Sequence, residues 1–189
     1  MLTDTIERKA RKARKDRFFS AVLAVLAFPL ITAASPAPHV RPESAETQAL
    51  VRDAARRSPL VRALIDRLDQ SDVVAYIRFA RFTDPLLEGR VGWLSQAGGR
   101  RYVVIELSGG RLWPVQIATL AHELQHAVEI AGAPAVVDTR TLADHYGRIG
   151  MRTSHTQGLE TFETRAAIAM GAQARREIMT GTVRTTEEE

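Results

Sequence analysis

His122-Glu123-Leu124-Gln125-His126 sets two imidazoles four residues apart, with a glutamate directly after the first. On an α-helix residues so spaced lie one turn above each other, and both rings point the same way. Two neutral ring nitrogens on one face can hold Zn²⁺ and leave positions for a third protein ligand and a water. The intervening Glu123 is then placed to take a proton from that water. The bland alternative is a surface helix with a solvated polar side. Against it, the chain has five histidines, and two of them share this face.

A catalytic zinc usually has three protein ligands, so a third must come from elsewhere. The chain has no cysteine, which leaves histidine and carboxylate. In the extended three-histidine pattern a glycine would stand at Glu129 and a histidine at Gly132, so that pattern fails. The candidates are Glu129, Glu160, Glu163, His145 and His155. Glu163 is favoured because its segment follows a connection long enough to fold back, and the small Ala166 and Ala167 beside it permit close helix packing. Glu160, one turn earlier, could replace it or hydrogen-bond to a ligating imidazole. Glu129, one turn after His126, is assigned to orienting an imidazole. His145, His155 and Tyr146 are candidates for stabilising an oxyanion.

The elements that must position these groups follow from periodicity. Pro114 suits a first helical turn, and Gly132 with Pro134 marks a stop. Between them Ile117, Leu120, Ala121, Leu124, Val128 and Ala131 recur on one face, opposite His122, His126 and Glu129. Helices are also expected from Ser44 to Arg57, from Ser58-Pro59 to about Ser71, from Asp138 to Arg148, and from about Leu159 to Met179. In the last, Leu159, Phe162, Ala166, Ala169 and Met170 share a side. Val73–Phe79, Arg90–Ser95 and Arg101–Leu107 are β-branched and aromatic, as strands are, and Gly98-Gly99 reads as a hairpin turn. The expectation is an α+β fold, a small antiparallel sheet packed on helices that include the H-E-x-x-H helix.

Residues 1–34 combine a basic run with an apolar one, interrupted by Pro29 and ending in Thr32-Ala33-Ala34, as a secretory signal or an uncleaved anchor through residues 18–34 would. Export to the periplasm or cell exterior is expected, or membrane attachment by that segment. A Pro-rich linker over 35–43, with His39 solvated in it, leads to a domain over 44–180 and a flexible acidic tail over 181–189. The net charge of +4 resides in the first 17 residues, leaving 19 basic and 19 acidic residues beyond them. A neutral body argues against nucleic-acid binding. The sequence sets no oligomeric state.

The basic leader, the hairpin, the LAHELQHAVE helix and the later ETFETRAA segment together resemble zincin-type metallopeptidases, specifically the glutamate-ligand branch (gluzincins) and its small bacterial members. The resemblance implies a zincin-like fold over residues 58–178, with zinc held by His122, His126 and a glutamate from a following helix, here Glu163. It implies Glu123 as general base and acid in peptide hydrolysis. It further implies an edge strand beside the metal helix, Tyr102–Leu107, holding an extended peptide or protein substrate. The alternative function is an exported or tethered binding module with a structural metal and no turnover.

Overall fold

A computed structural model describes residues 37–154 and 161–186 of the chain. The expected leader, the start of the linker, His155, Glu160 and residues 187–189 lie outside the described residues. No helix among the described residues is long and apolar enough to cross a membrane.

Two helices open the domain, each started by a serine. Ser44 and Thr47 form a reciprocal cap for α1 (Ala45–Arg57). The Ser58 side chain accepts from Val61 N–H and begins α2 (Pro59–Asp69), with Pro59 in its first turn. Such caps satisfy N–H groups that the helix itself leaves without partners. Ahead of α1, Val40–Pro42 forms a short strand, β1, in the stretch expected to be linker. His39 is accordingly buried, its Nδ1 against Leu68 O at 2.8 Å and its Nε2 against the Arg100 guanidinium. It is not a solvated linker residue.

Strands β2 (Val73–Ala80), β3 (Gly89–Ala97) and β4 (Arg100–Ser108) complete a four-stranded sheet in the order β1-β2-β4-β3. Only β3 and β4 pair antiparallel, through a turn in which Gly98 and Gly99 take φ of 58° and 73°. These positive φ values are what a tight hairpin requires and glycine tolerates. β1–β2 and β2–β4 are parallel, so the sheet is mixed and not antiparallel. The physical reason lies in β4, where Val103–Leu107 is buried almost throughout. A strand buried on both faces belongs in the sheet interior. The edge strands are therefore β1 and β3, and the expectation that Tyr102–Leu107 forms an edge is corrected.

The sheet packs Ala75, Ile77, Val103 and Ile105 into one core with Leu120 and Leu124 of α3 (Trp113–Ala131). Both ends of α3 are pinned. Trp113 Nε1 donates to Asp53 of α1 at 2.8 Å. At the other end the buried Arg101 donates to the carbonyls of Ile130, Ala131, Ala133 and Val136 and pairs with Asp72. Helix α4 (Thr139–Ile149) starts on an Asp138 cap. A hairpin of β5 (Met151–Ser154) and β6 (Thr161–Glu163) then leads into α5 (Arg165–Thr186).

Helix α5 thus starts later than its composition suggests and continues to Thr186, into the stretch read as a tail. Over residues 165–180 its buried residues are Ala167, Gly171, Ala174 and Ile178, while Ala166 and Ala169 face out. Starting the helix at Arg165 places Phe162 and Glu163 in a strand, and so changes which residues share a face. Close packing on α3 depends on Gly171: a Cβ there would stand 3.2 Å from Ala118 O and 3.4 Å from His122 Cβ.

Candidate metal centre

The two motif histidines stand one turn apart on α3, facing the hairpin and α5. Their rings meet edge to face, and their Nε2 atoms are 3.2 Å apart. Glu163 arrives from the end of β6, where it pairs with Met151 of β5, and not from within a helix. Its Oε2 lies 2.7 Å from His122 Nε2 and 4.0 Å from His126 Nε2. Ligands placed tetrahedrally at about 2.1 Å from one cation are separated by about 3.4 Å, a value that these three separations bracket. Glu163 Oε2 is moreover a buried oxygen, with the two imidazole nitrogens as its near polar neighbours. An oxygen so placed is costly unless something positive meets it. The two imidazoles and this carboxylate therefore fit a divalent cation.

Behind His126 stands Glu129, its Oε2 2.9 Å from Nδ1. That contact assigns the proton to Nδ1 and turns Nε2 towards Glu163, the arrangement that presents a ring nitrogen to a metal. Glu129 is in turn held by Thr164 Oγ1 at 2.7 Å and Gln125 Nε2 at 3.4 Å. Thr164 also accepts from Ala167 N–H at 3.0 Å, capping α5. Thr164 is not among the residues that motif and spacing single out. Its signal was the ordinary preference for threonine at a helix start.

The hairpin reaches the site because Gly150 lacks a side chain. A Cβ there would lie 2.8 Å from Tyr146 O, 3.2 Å from Phe162 Cβ and 3.3 Å from Glu163 O. Tyr146, offered above as an oxyanion stabiliser, is otherwise engaged. Its hydroxyl donates to His126 O at 2.9 Å and its ring stacks edge-on against that imidazole. His145 packs against Tyr146 in turn, and neither residue lines the cleft described below. Their place is behind the metal helix, supporting it. The remaining candidates, Glu160 and His155, lie outside the described residues.

Glu123 points to the other side of His122. It is buried, and Gly89 at the start of β3 comes so close that a Cβ would sit 2.7 Å from Glu123 Oε1. Burial pushes the Glu123 carboxyl up to about 7, against the pull of His126 and His122. Burial also opposes charge on His122, Glu163 and Glu129, but their mutual attraction outweighs it. His122 is raised beside Glu163, and the Glu163 and Glu129 carboxyls are lowered beside their imidazoles. Burial likewise pushes the Tyr146 hydroxyl up, and it lowers His145 with help from Arg148.

His122, Glu123 and Glu163 close one end of a cleft of about 670 Å³ between α3, α5 and the segment entering β3. Three potential ligands, an adjacent carboxylate and an accessible cavity can together bind a cation, deliver a proton and admit a substrate. No protein-family model, curated protein or solved structure matches the chain.

Proposed function

We propose that this chain is a zinc-dependent peptide hydrolase of zincin type, with glutamate as third ligand, working as an exported or membrane-tethered protein. The observation that carries this reading is the convergence of His122, His126 and Glu163, their ligand atoms within 4.8 Å of one another, at a cleft that Glu123 also lines. Two imidazoles and one carboxylate suit Zn²⁺ better than Ca²⁺ or Mg²⁺, which favour oxygen ligands throughout. Bound there, Zn²⁺ would supply Lewis acidity to a carbonyl oxygen and lower the pKa of water.

The chain's own residues do the rest. Glu123 accepts a proton from the attacking water and passes it to the departing amine nitrogen as the C–N bond breaks. Glu129 keeps the His126 ring in the required tautomer, and Thr164 keeps Glu129 in place. The free edge of β3, starting at Gly89 on the cleft, offers main-chain groups to an extended peptide.

The test is the purified chain with and without Zn²⁺, alongside Glu123→Gln and Glu163→Gln. One zinc per chain, zinc-dependent cleavage of a peptide library and loss of turnover in Glu123→Gln are expected. A zinc-loaded protein that cleaves no peptide across a wide pH range would overturn the activity. A Glu123→Gln variant as fast as wild type would overturn the mechanism.

A further inference from the structure

The cleft does not end at the metal ligands. It runs along the groove between α3 and α5, where Ile168, Ala172, Arg175, Arg176 and Met179 recur at helical spacing on its α5 wall. Three large apolar side chains line it yet remain open to solvent: Leu86 at 85%, Met179 at 56% and Ile168 at 47% exposure. Arg175 and Arg176 stand among them. Among the described residues, no carboxylate lies within ion-pair distance of either guanidinium. By contrast, Glu88 on the opposite wall is near Arg111 and Thr119. Arg176 is attracted by Glu177 on its own helix, whereas Arg175 is left to the cleft, and a wall that keeps apolar groups and such a guanidinium together presents the complement of an apolar, negatively charged ligand.

We propose that Arg175, with Arg176 beside it, forms a carboxylate-recognition subsite, so that the cleft takes peptides carrying an apolar side chain and a carboxylate one or two residues from the cleaved bond. The spacing comes from the helix. Gly171 packs against His122, and Arg175 lies one turn further along. One turn advances about 6 Å, and an extended peptide covers that in roughly two residues. Arginine suits the task because its planar fork binds carboxylate through two parallel hydrogen bonds. The inference rests on the peptide-hydrolase reading for the identity of the ligand as a peptide. The carboxylate can come from a chain end or from an acidic side chain.

Full-length, zinc-loaded Glu123→Gln protein is titrated calorimetrically with four N-acetylated tetrapeptides. One alternates alanine and leucine and ends in a free carboxylate, and the second is its C-terminal amide. The third and fourth are amides with glutamate or glutamine replacing the last leucine. The free-carboxylate or the glutamate peptide should bind about tenfold tighter than its neutral counterpart at low salt, with the gap shrinking in high salt. Tighter binding of only the first identifies a chain end, and of only the glutamate peptide an acidic side chain. Adding Arg175→Ala should abolish the gap with the thermal midpoint unchanged, and Arg175→Lys should restore part of it.

Equal affinities for charged and neutral probes, a gap that survives Arg175→Ala, or no binding of any probe would overturn the subsite. Wild-type cleavage of the same peptides separates the two claims. Turnover without charge preference removes the subsite and leaves the hydrolase. An Arg175-dependent affinity gap without turnover does the reverse.

Discussion

Thr164 Oγ1 donates to Glu129 Oε1 at 2.7 Å while accepting from Ala167 N–H at 3.0 Å. One hydroxyl thus starts α5 and fixes the carboxylate that orients His126. It couples the folding of a helix end to the quality of the metal site. Thr164→Val keeps the shape and removes both bonds. It should destabilise the fold by about 1–2 kcal/mol and weaken Zn²⁺ binding by roughly tenfold or more. Thr164→Ser should retain both properties. Urea unfolding and competitive zinc titration measure the two effects. Wild-type zinc affinity in Thr164→Val would mean that Glu129 holds the imidazole unaided.

Gly89 separates catalysis from metal binding. An alanine Cβ at this position would stand 2.7 Å from both Glu123 Oε1 and Thr119 Cγ2. Something must move, and the end of the Glu123 side chain is what can. The three atoms nearest to that Cβ belong to Glu123 and Thr119, and none to a metal ligand. Gly89→Ala should therefore lower kcat by one to two orders of magnitude, on the order of what a misplaced catalytic group costs. Zinc affinity should stay within about twofold of wild type, since the metal ligands keep their supports. A parallel fall in zinc affinity would show that the strand entry supports the ligands as well.

Gly150 and Gly132 make an opposed pair. At Gly150 an added Cβ meets two backbone oxygens and Phe162 Cβ at 2.8–3.3 Å, and none of these is the free end of a flexible side chain. Gly150→Ala should push the hairpin away, carry Glu163 with it and lower zinc affinity with His122 and His126 untouched. Gly132 ends α3 with an ordinary φ of −72°, and a Cβ there makes only normal contacts at 3.5 Å and beyond. Gly132→Ala should be neutral or stabilising by up to about 1 kcal/mol. Thermal unfolding and zinc titration of both variants check the contrast.

The parts of this molecule legible in its sequence are those encoded locally. The H-E-x-x-H helix, its proline start and glycine stop, the Asp138 and Ser58 caps and the Gly98-Gly99 turn each depend on a few adjacent residues. Strand order does not. That β4 inserts between β2 and β3 is a long-range outcome, hinted at only by the apolar run Val103–Ile105 and Leu107, which Glu106 interrupts. The same holds for Glu163. Its type pointed to a ligand, but periodicity cannot distinguish a helix from a three-residue strand followed by a threonine cap. His39 was misplaced because a single buried histidine beside prolines carries no pattern, and its partners Leu68 and Arg100 are distant in sequence. Tyr146 looked free to reach the site because nothing local shows that its hydroxyl is committed to His126 O.

Arg101 offers a test of stability that does not pass through the metal site. Buried behind the end of α3, it donates to four carbonyls and pairs with Asp72 at 2.7 Å. Arg101→Met fills similar space but leaves buried carbonyls without their donor, and should cost about 3 kcal/mol or more. The pair also has a pH signature. The Arg101 guanidinium holds the Asp72 carboxyl below its ordinary 3.8, against the opposing effect of burial. The stabilisation is therefore fully present above pH 3.8 and is lost as pH falls through the lower folded value, because the unfolded chain takes up the proton first. Glu106 behaves alike below its ordinary 4.5: burial raises it, but Arg78 and Arg90 outweigh burial and lower it. Wild-type stability should thus decline from about pH 5 to about pH 3. Arg101→Met should start lower but decline less steeply, losing the Asp72 contribution while keeping those of the other lowered carboxyls, Glu106 among them. Denaturant unfolding at a series of pH values measures both slopes, and identical slopes would show that the Asp72 pair contributes nothing to acid sensitivity.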